Sequence, residues 1–238
     1  MRRLLRWLMR AVLVTAVTGV VVSVVLVATL RWVHPFTSAF MLEARARLWL
    51  TGDFHTTIEQ RWVDLRRISP WARLAVIASE DQRFPFHHGF DLDSMQDALQ
   101  GNLDGEHFRG GSTISQQTAK NLFLWGGRSY VRKAIEAWFT GLMELMLPKQ
   151  RILEIYLNVA QFGPDTYGVQ AAARRFFHKD AGALTRGEAA VLAAVLPNPK
   201  VLHAERPSAY VASRREWIQR QMHALGDASY LANLNSGQ

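Results

Sequence analysis

The sequence predicts a mainly α-helical protein: one transmembrane helix followed by a single helical domain. Three observations predict it. Residues 11–30, AVLVTAVTGVVVSVVLVATL, carry no charge. Beyond them apolar residues recur at intervals of three and four rather than two. Two capping-box signatures, Thr113 with Gln116 and Thr185 with Glu188, mark helix starts. At 238 residues the chain accommodates an anchor and one substantial core, but not two large domains.

The apolar run is long enough as a helix to span a hydrocarbon core of about 30 Å. Valine is a mediocre helix former in water, but lipid offers the backbone no other hydrogen-bond partner. A cleaved signal peptide would show an apolar run of about 7–15 residues and a small-residue cleavage site. This run is longer and ends in LRWVHPF, so an uncleaved anchor is expected. Arg2, Arg3, Arg6 and Arg10 precede it, which keeps the N-terminus cytoplasmic and exports the rest; Arg31 weakens that bias slightly. Trp32 and His34 read as interfacial residues and Pro35 as the end of the span. The resulting division is 1–10 cytoplasmic, 11–31 anchor, 32–225 exported domain and 226–238 a frayed tail.

Lys and Arg outnumber Asp and Glu by 28 to 20, giving a net charge of +8 and a pI near 10.3. An anionic partner follows: nucleic acid, phospholipid or a phosphate-bearing substrate. Export removes nucleic acid from that set. The absence of cysteine excludes disulfides, thiolate metal sites and a cysteine nucleophile.

In the exported part, WARLAVIASE (71–80) reads as a short buried helix ending in Glu80, where a carboxylate opposes the helix dipole. A locally unfavourable acid invites a functional explanation. FPFHHGF breaks the helix through Pro85 and Gly89, and Asp91 can cap another running through Met95 and Leu99. The polar, glycine-rich stretch from Gly101 to Gly111 predicts mobility. A helix opening at Thr113 places Gln116 and Lys120 on one face with Gln117 and Asn121 beside them, and Ser112 just before. The double glycine ahead of it lets an anion approach the helix N-terminus. Residues 129–147 form a strongly amphipathic helix with Val131, Ile135, Trp138, Leu142 and Leu145 or Met146 as its core stripe. Arg128, Arg132 and Glu136 step away from that stripe with Lys133 adjacent, embedding a second acid among cations. Helices over 149–158, 167–177, about 185–196 and 208–224 complete the domain.

Zinc is disfavoured, since adjacent His87 and His88 rarely reach one ion and no H-E-x-x-H spacing occurs. Carboxylate-bound magnesium or manganese stays open, and no organic cofactor is expected. Gly110-Gly111-Ser112-Thr113-Ile114 fails the serine-hydrolase elbow at its last position. Two acids and clustered cations on a helical frame instead suit glycosyl transfer: one carboxylate removes the acceptor proton and the cations neutralise a departing diphosphate. Membrane attachment fits a lipid-linked donor.

EDQRFPFHHG, GGSTISQQTAKN, RKAIE, KQRILEIYLN and LTRGEAAVLAAVLPNP, in that order over roughly residues 38–205, resemble the five motifs of the peptidoglycan glycosyltransferases. That family occurs within class A penicillin-binding proteins and alone in monofunctional transglycosylases. With no transpeptidase motif following, the monofunctional form is expected. The resemblance implies a lysozyme-like helical glycosyltransferase domain with a small membrane-facing jaw lobe. It makes Glu80 the base that deprotonates the acceptor 4-hydroxyl, Asp81 its support, and Glu136 the second essential carboxylate. Lys120, Arg128, Arg132 and Lys133 would hold the diphosphate, and Ser112, Gln116, Gln117 and Asn121 would line the cleft. The Phe and His residues after Glu80 would shape and dehydrate its pocket, His87 and His88 as structural residues.

The implied reaction is polymerisation of lipid II into β-1,4-linked glycan on the outer face of a bacterial inner membrane, releasing undecaprenyl diphosphate. Expected partners are lipid II, the nascent glycan chain, the membrane and other cell-wall synthesis proteins. The alternatives are a lysozyme-like lytic enzyme and a non-catalytic, membrane-tethered lipid II-binding module.

Overall fold

A computed structural model describes residues 2–91, 111–127 and 129–235. Nine α-helices lie within them: α1 (Arg2–Thr29), α2 (Ala39–Leu50), α3 (Pro70–Glu80), α4 (Ile114–Phe123), α5 (Tyr130–Met146), α6 (Lys149–Val159), α7 (Val169–Phe177), α8 (Arg186–Val195) and α9 (Ala209–Ala224). Two short parallel strands, β1 (Glu59–Gln60) and β2 (Thr166–Tyr167), pair Glu59 with Thr166 and Gln60 with Tyr167. Residues 92–100, which would carry the helix expected after Asp91, the glycine-rich stretch 101–110 and Arg128 lie outside the described residues.

The charge-free run up to Thr29 sits within α1, with Leu30 just beyond it; α1 is long and apolar enough to cross a membrane and exposes most of its side chains. Its last turns are the exception: Ser23, Val27 and Leu30 are buried, with α5 alongside.

The domain core surrounds α3. Ser69 caps that helix, accepting from Trp71 N and donating to Leu184 O at 2.7 Å, and Pro70 fills the first position where no donor is needed. Leu74 to Ala78 are buried against α8 and α9, and small alanines on α3 and α8 let the helices approach closely. Both expected capping boxes form, at Thr113/Gln116 and Thr185/Glu188. Asn158 ties the strand region to α6: its side chain accepts from Val63 N and donates to Val63 O. Gly168, at φ +80°, passes so close to Asn158 that a Cβ there would meet its carbonyl oxygen at 2.7 Å.

Two expectations are corrected. The apolar stripe expected for α5 is a core stripe only in part: Leu142 and Met146 pack against the core, but Val131 is 68% exposed, Trp138 44% and Leu145 82%, whereas Glu136, Thr140 and Met143 are buried. Amphipathic periodicity fixes two faces but not which one meets protein, and here the inward side combines Glu136 and Thr140 with Phe139, Leu142, Met143 and Met146. Leu42, Trp49 and Leu50 on α2, with Phe54, Trp125 and Tyr130, add further exposed apolar side chains. The tail is not frayed over its described part. Asp227–Asn235 form a 3-10 helix against α3, with Leu234 buried, the Tyr230 hydroxyl bonded to Gln82 O, and its ring edge-on to Phe86.

Candidate active site

Glu80 is the last residue of α3, and its carboxylate meets α4. Gln117 Nε2 donates to Glu80 Oε2 at 2.9 Å, and the Tyr156 hydroxyl of α6 donates to Gln117 Oε1 at 3.1 Å. The amide is thereby fixed in orientation, with its donor end on the carboxylate. Burial pushes the Glu80 carboxyl above its usual range, against the Gln117 hydrogen bond, the charge of Arg214, a long Ser79 contact and Lys120. Tyr156 is pushed further up by its own burial and by the carboxylates of Glu80 and Asp81, so it stays a protonated donor.

Asp81 has different partners. It is buried, its carboxylate accepts from His87 Nε2 at 2.9 Å, and Oδ2 accepts from Ile114 N at 2.9 Å, at the start of α4. His87 Nδ1 accepts from Gly89 N, which places the ring proton on Nε2. Thr113 Oγ1 donates to Gly89 O at 2.7 Å. Gly89 itself, at φ +87°, leaves no room for a side chain: a Cβ would lie 2.8 Å from Thr140 Cγ2. The turn after Glu80 is thus stapled to both α4 and α5. His87 is the structural histidine expected, and His88 is exposed. Phe84 is buried between His87 and Lys149, whereas Phe86 is exposed against the tail rather than dehydrating Glu80.

The second acid is organised differently. Glu136 Oε2 accepts from Arg132 Nη1 at 2.9 Å and Oε1 from Lys133 Nζ at 2.5 Å, so both oxygens hold cations. Arg132 Nε is buried and meets no acceptor among the described residues. Lys120 stands between the two centres, within electrostatic reach of both Glu136 and Glu80. No carboxylate among the described residues lies within ion-pair distance of it, and dehydration lowers its pKa. Gln117, Lys120 and Asn121 line a cavity of about 170 Å³ with Phe40, Tyr156 and Gln161.

One cleft-lining expectation fails. Gln116 is buried, its side chain accepting from Thr113 N in the capping box, so the cleft face of α4 is Gln117, Lys120 and Asn121. A residue that closes a capping box cannot also point away from its helix. Ser112 contributes its carbonyl, which accepts from Gln117 Nε2 at 3.4 Å. Tyr156 and Arg214 are the site residues that sequence reasoning missed. A lone tyrosine in the apolar run ILEIYL was a usable signal for the first. Arg214, on α9, is buried and stacks on Trp217 at 5.4 Å, and no local pattern connects it with Glu80. Among the described residues no group of three or more acids and histidines is placed to hold a metal ion.

The transglycosylase family model matches residues 50–223. A protein named biosynthetic peptidoglycan transglycosylase from Chromohalobacter salexigens is 51% identical over 231 residues, covering 96% of this chain and 98% of the relative. One of the same name from Xanthomonas euvesicatoria is 51% identical over 230 residues, covering 97% and 91%. Another, from Xylella fastidiosa, is 47% identical over 227 residues, covering 95% and 93%. With the match spanning most of the chain, and with both carboxylate centres inside it, the chain belongs to the transglycosylase family.

Proposed function

We propose that the protein is an inverting peptidoglycan glycosyltransferase that polymerises lipid II on the outer face of a bacterial inner membrane. The observation that carries this reading is the pairing of one dehydrated carboxylate, oriented by Gln117, with a separate cation cluster organised by Glu136. Glu80 takes the proton from the acceptor 4-hydroxyl as that oxygen attacks the donor anomeric carbon. The bond from that carbon to the diphosphate breaks, and its electron pair leaves on the diphosphate oxygen. Lys120, Arg132 and Lys133 neutralise the charge that develops there. Attack opposite the leaving group inverts an α-linked donor into a β-1,4 bond.

Glu136 serves this scheme by holding Arg132 and Lys133 in place, since both its oxygens are already engaged. Asp81 supports Glu80 by fixing the turn behind it. The N-terminal arginines favour an exported domain. Arg31, the one charge that opposes this bias, donates to Met146 O at the end of α5 and so has a structural task. The exposed apolar faces of α2 and α5 suit a lobe that rests in lipid. The cation cluster disfavours a lytic enzyme, which would have no diphosphate to neutralise.

The test is incubation of the solubilised protein with labelled lipid II, resolving products by chain length, with Glu80→Gln in parallel. Glycan polymer from the parent alone supports the reading. Bound but unextended lipid II removes it in favour of a binding module, and solubilisation of isolated sacculi removes it in favour of a lytic enzyme.

A further inference from the structure

The far end of the anchor is gripped by side chains from the domain. Beyond α1 the chain turns through Leu30 to Val33, leaving carbonyls that no helical amide reaches. Arg151, in the first turn of α6, covers two of them: Nε donates to Leu30 O at 2.7 Å and Nη2 to Val33 O at 2.9 Å. Its Nη1 donates to His34 Nδ1 at 3.2 Å and to Glu154. The guanidinium lies 5.3 Å over the Trp62 ring, and His34 stacks on the same indole at 4.4 Å. Glu154 in turn accepts from Leu65 N at 3.2 Å. Two further contacts fasten α1 to α5: Arg31 to Met146 O, and Trp138 Nε1 to Ser23 Oγ, each at 3.1 Å.

The planar fork of Arg151 is therefore spent on the junction, with its side chain only 11% exposed. None of it faces the cleft. Yet α6 also carries Tyr156, which orients the Gln117 amide on Glu80, and α5 carries Glu136. The anchor is fixed to the same two helices that support both carboxylates, with no free linker between. A domain held this way cannot tilt over the bilayer without breaking several hydrogen bonds at once.

We propose that Arg151 is a positioning residue that locks the anchor to the catalytic domain, setting the height and tilt at which the cleft meets a membrane-embedded, lipid-linked diphosphate substrate. The lock stands on geometry alone; its consequence for turnover rests on the transferase reading.

Because the chain has no cysteine, single cysteines introduced at Val14 on the exposed anchor and at exposed Lys200 take spin labels selectively. In lipid nanodiscs the parent pair gives one narrow distance distribution. Arg151→Met broadens it, and Arg151→Lys, which keeps the charge but loses the fork, falls between; the lysine variant carries the test should the methionine variant not fold. A broad distribution in the parent, or an unchanged one in the variants, overturns the lock. With a long-chain polyprenyl diphosphate disaccharide in the same discs, Arg151→Met loses about tenfold in turnover, because small misplacements of reacting groups cost rate steeply. With a short-chain analogue dispersed in detergent it stays within about twofold of the parent. Equal loss or equal retention on both substrates overturns the positioning role. A narrow parent distribution without turnover on either substrate refutes the transferase reading and supports the lock.

Discussion

Glu80 illustrates how one side chain carries opposing demands. As the proposed base its carboxylate must ionise to accept a proton, yet burial favours the neutral acid, and Gln117 and Arg214 oppose that burial only in part. Glu80→Gln is nearly isosteric and is expected to lower polymerisation at least about a hundredfold, in a lipid II assay with the circular dichroism unchanged. The linkage sign adds a second expectation. A carboxyl whose folded pKa is raised stabilises the fold below its unfolded pKa and loses that contribution as pH rises through the folded value. The melting temperature of Glu80→Gln relative to the parent should therefore climb as pH increases from about 4.5, and a pH-independent difference would contradict this. Gln117→Leu removes the largest interaction that lowers the Glu80 pKa, so the acid limb of the pH–rate profile moves to higher pH. The position of Glu80 at a helix C-terminus, where an acid is locally unfavourable, was legible in sequence. The partnership with Tyr156 and Arg214 was not, since it joins side chains on three helices.

The element that matters most is the start of α4. Three groups converge on it: Thr113 as N-cap, Asp81 on Ile114 N, and Gly89 beneath the Thr113 hydroxyl. Thr113→Ala removes the cap and the bond to Gly89 O together, so a loss of about 1–3 kcal/mol is expected in urea unfolding, with Thr113→Ser restoring most of it. Gly89→Ala should cost at least as much, because it adds a left-handed backbone penalty of about 1–3 kcal/mol to a clash with Thr140. The capping box was readable from Thr113 and Gln116, but reading it as helix start and cleft lining at once was inconsistent. A side chain folded back on its own N-cap is withdrawn from the ligand. In α5 the periodicity was right and the inward face right only for Leu142 and Met146, because the side holding Glu136 can be buried once Arg132 and Lys133 neutralise it.

Across the whole molecule, the domain holds both the end of α1 and the C-terminal 3-10 helix. The C-terminal 3-10 helix covers the turn after Glu80, so truncation after Gly226 uncovers the sites of Leu234 and Tyr230 and removes about 3 kcal/mol. For a chain of this size the melting temperature should then fall by about 6–12 °C, measurable by thermal unfolding in detergent. The sequence by itself determined the long N-terminal apolar helix, the helical class, the helix starts and the residues that carry the two charge centres. These rest on local rules, namely a charge-free run, a 3.6-residue period, capping spacings and ordered motifs. Only the tertiary structure decided which residues of α5 turn inward and that Asp81 ties His87 to the start of α4. It likewise decided that Lys120 stands between Glu80 and Glu136 and that Arg151 grips the anchor. Each of these depends on side chains far apart in sequence meeting in a buried space, where charges must find partners and a rotation of one helix exchanges its faces.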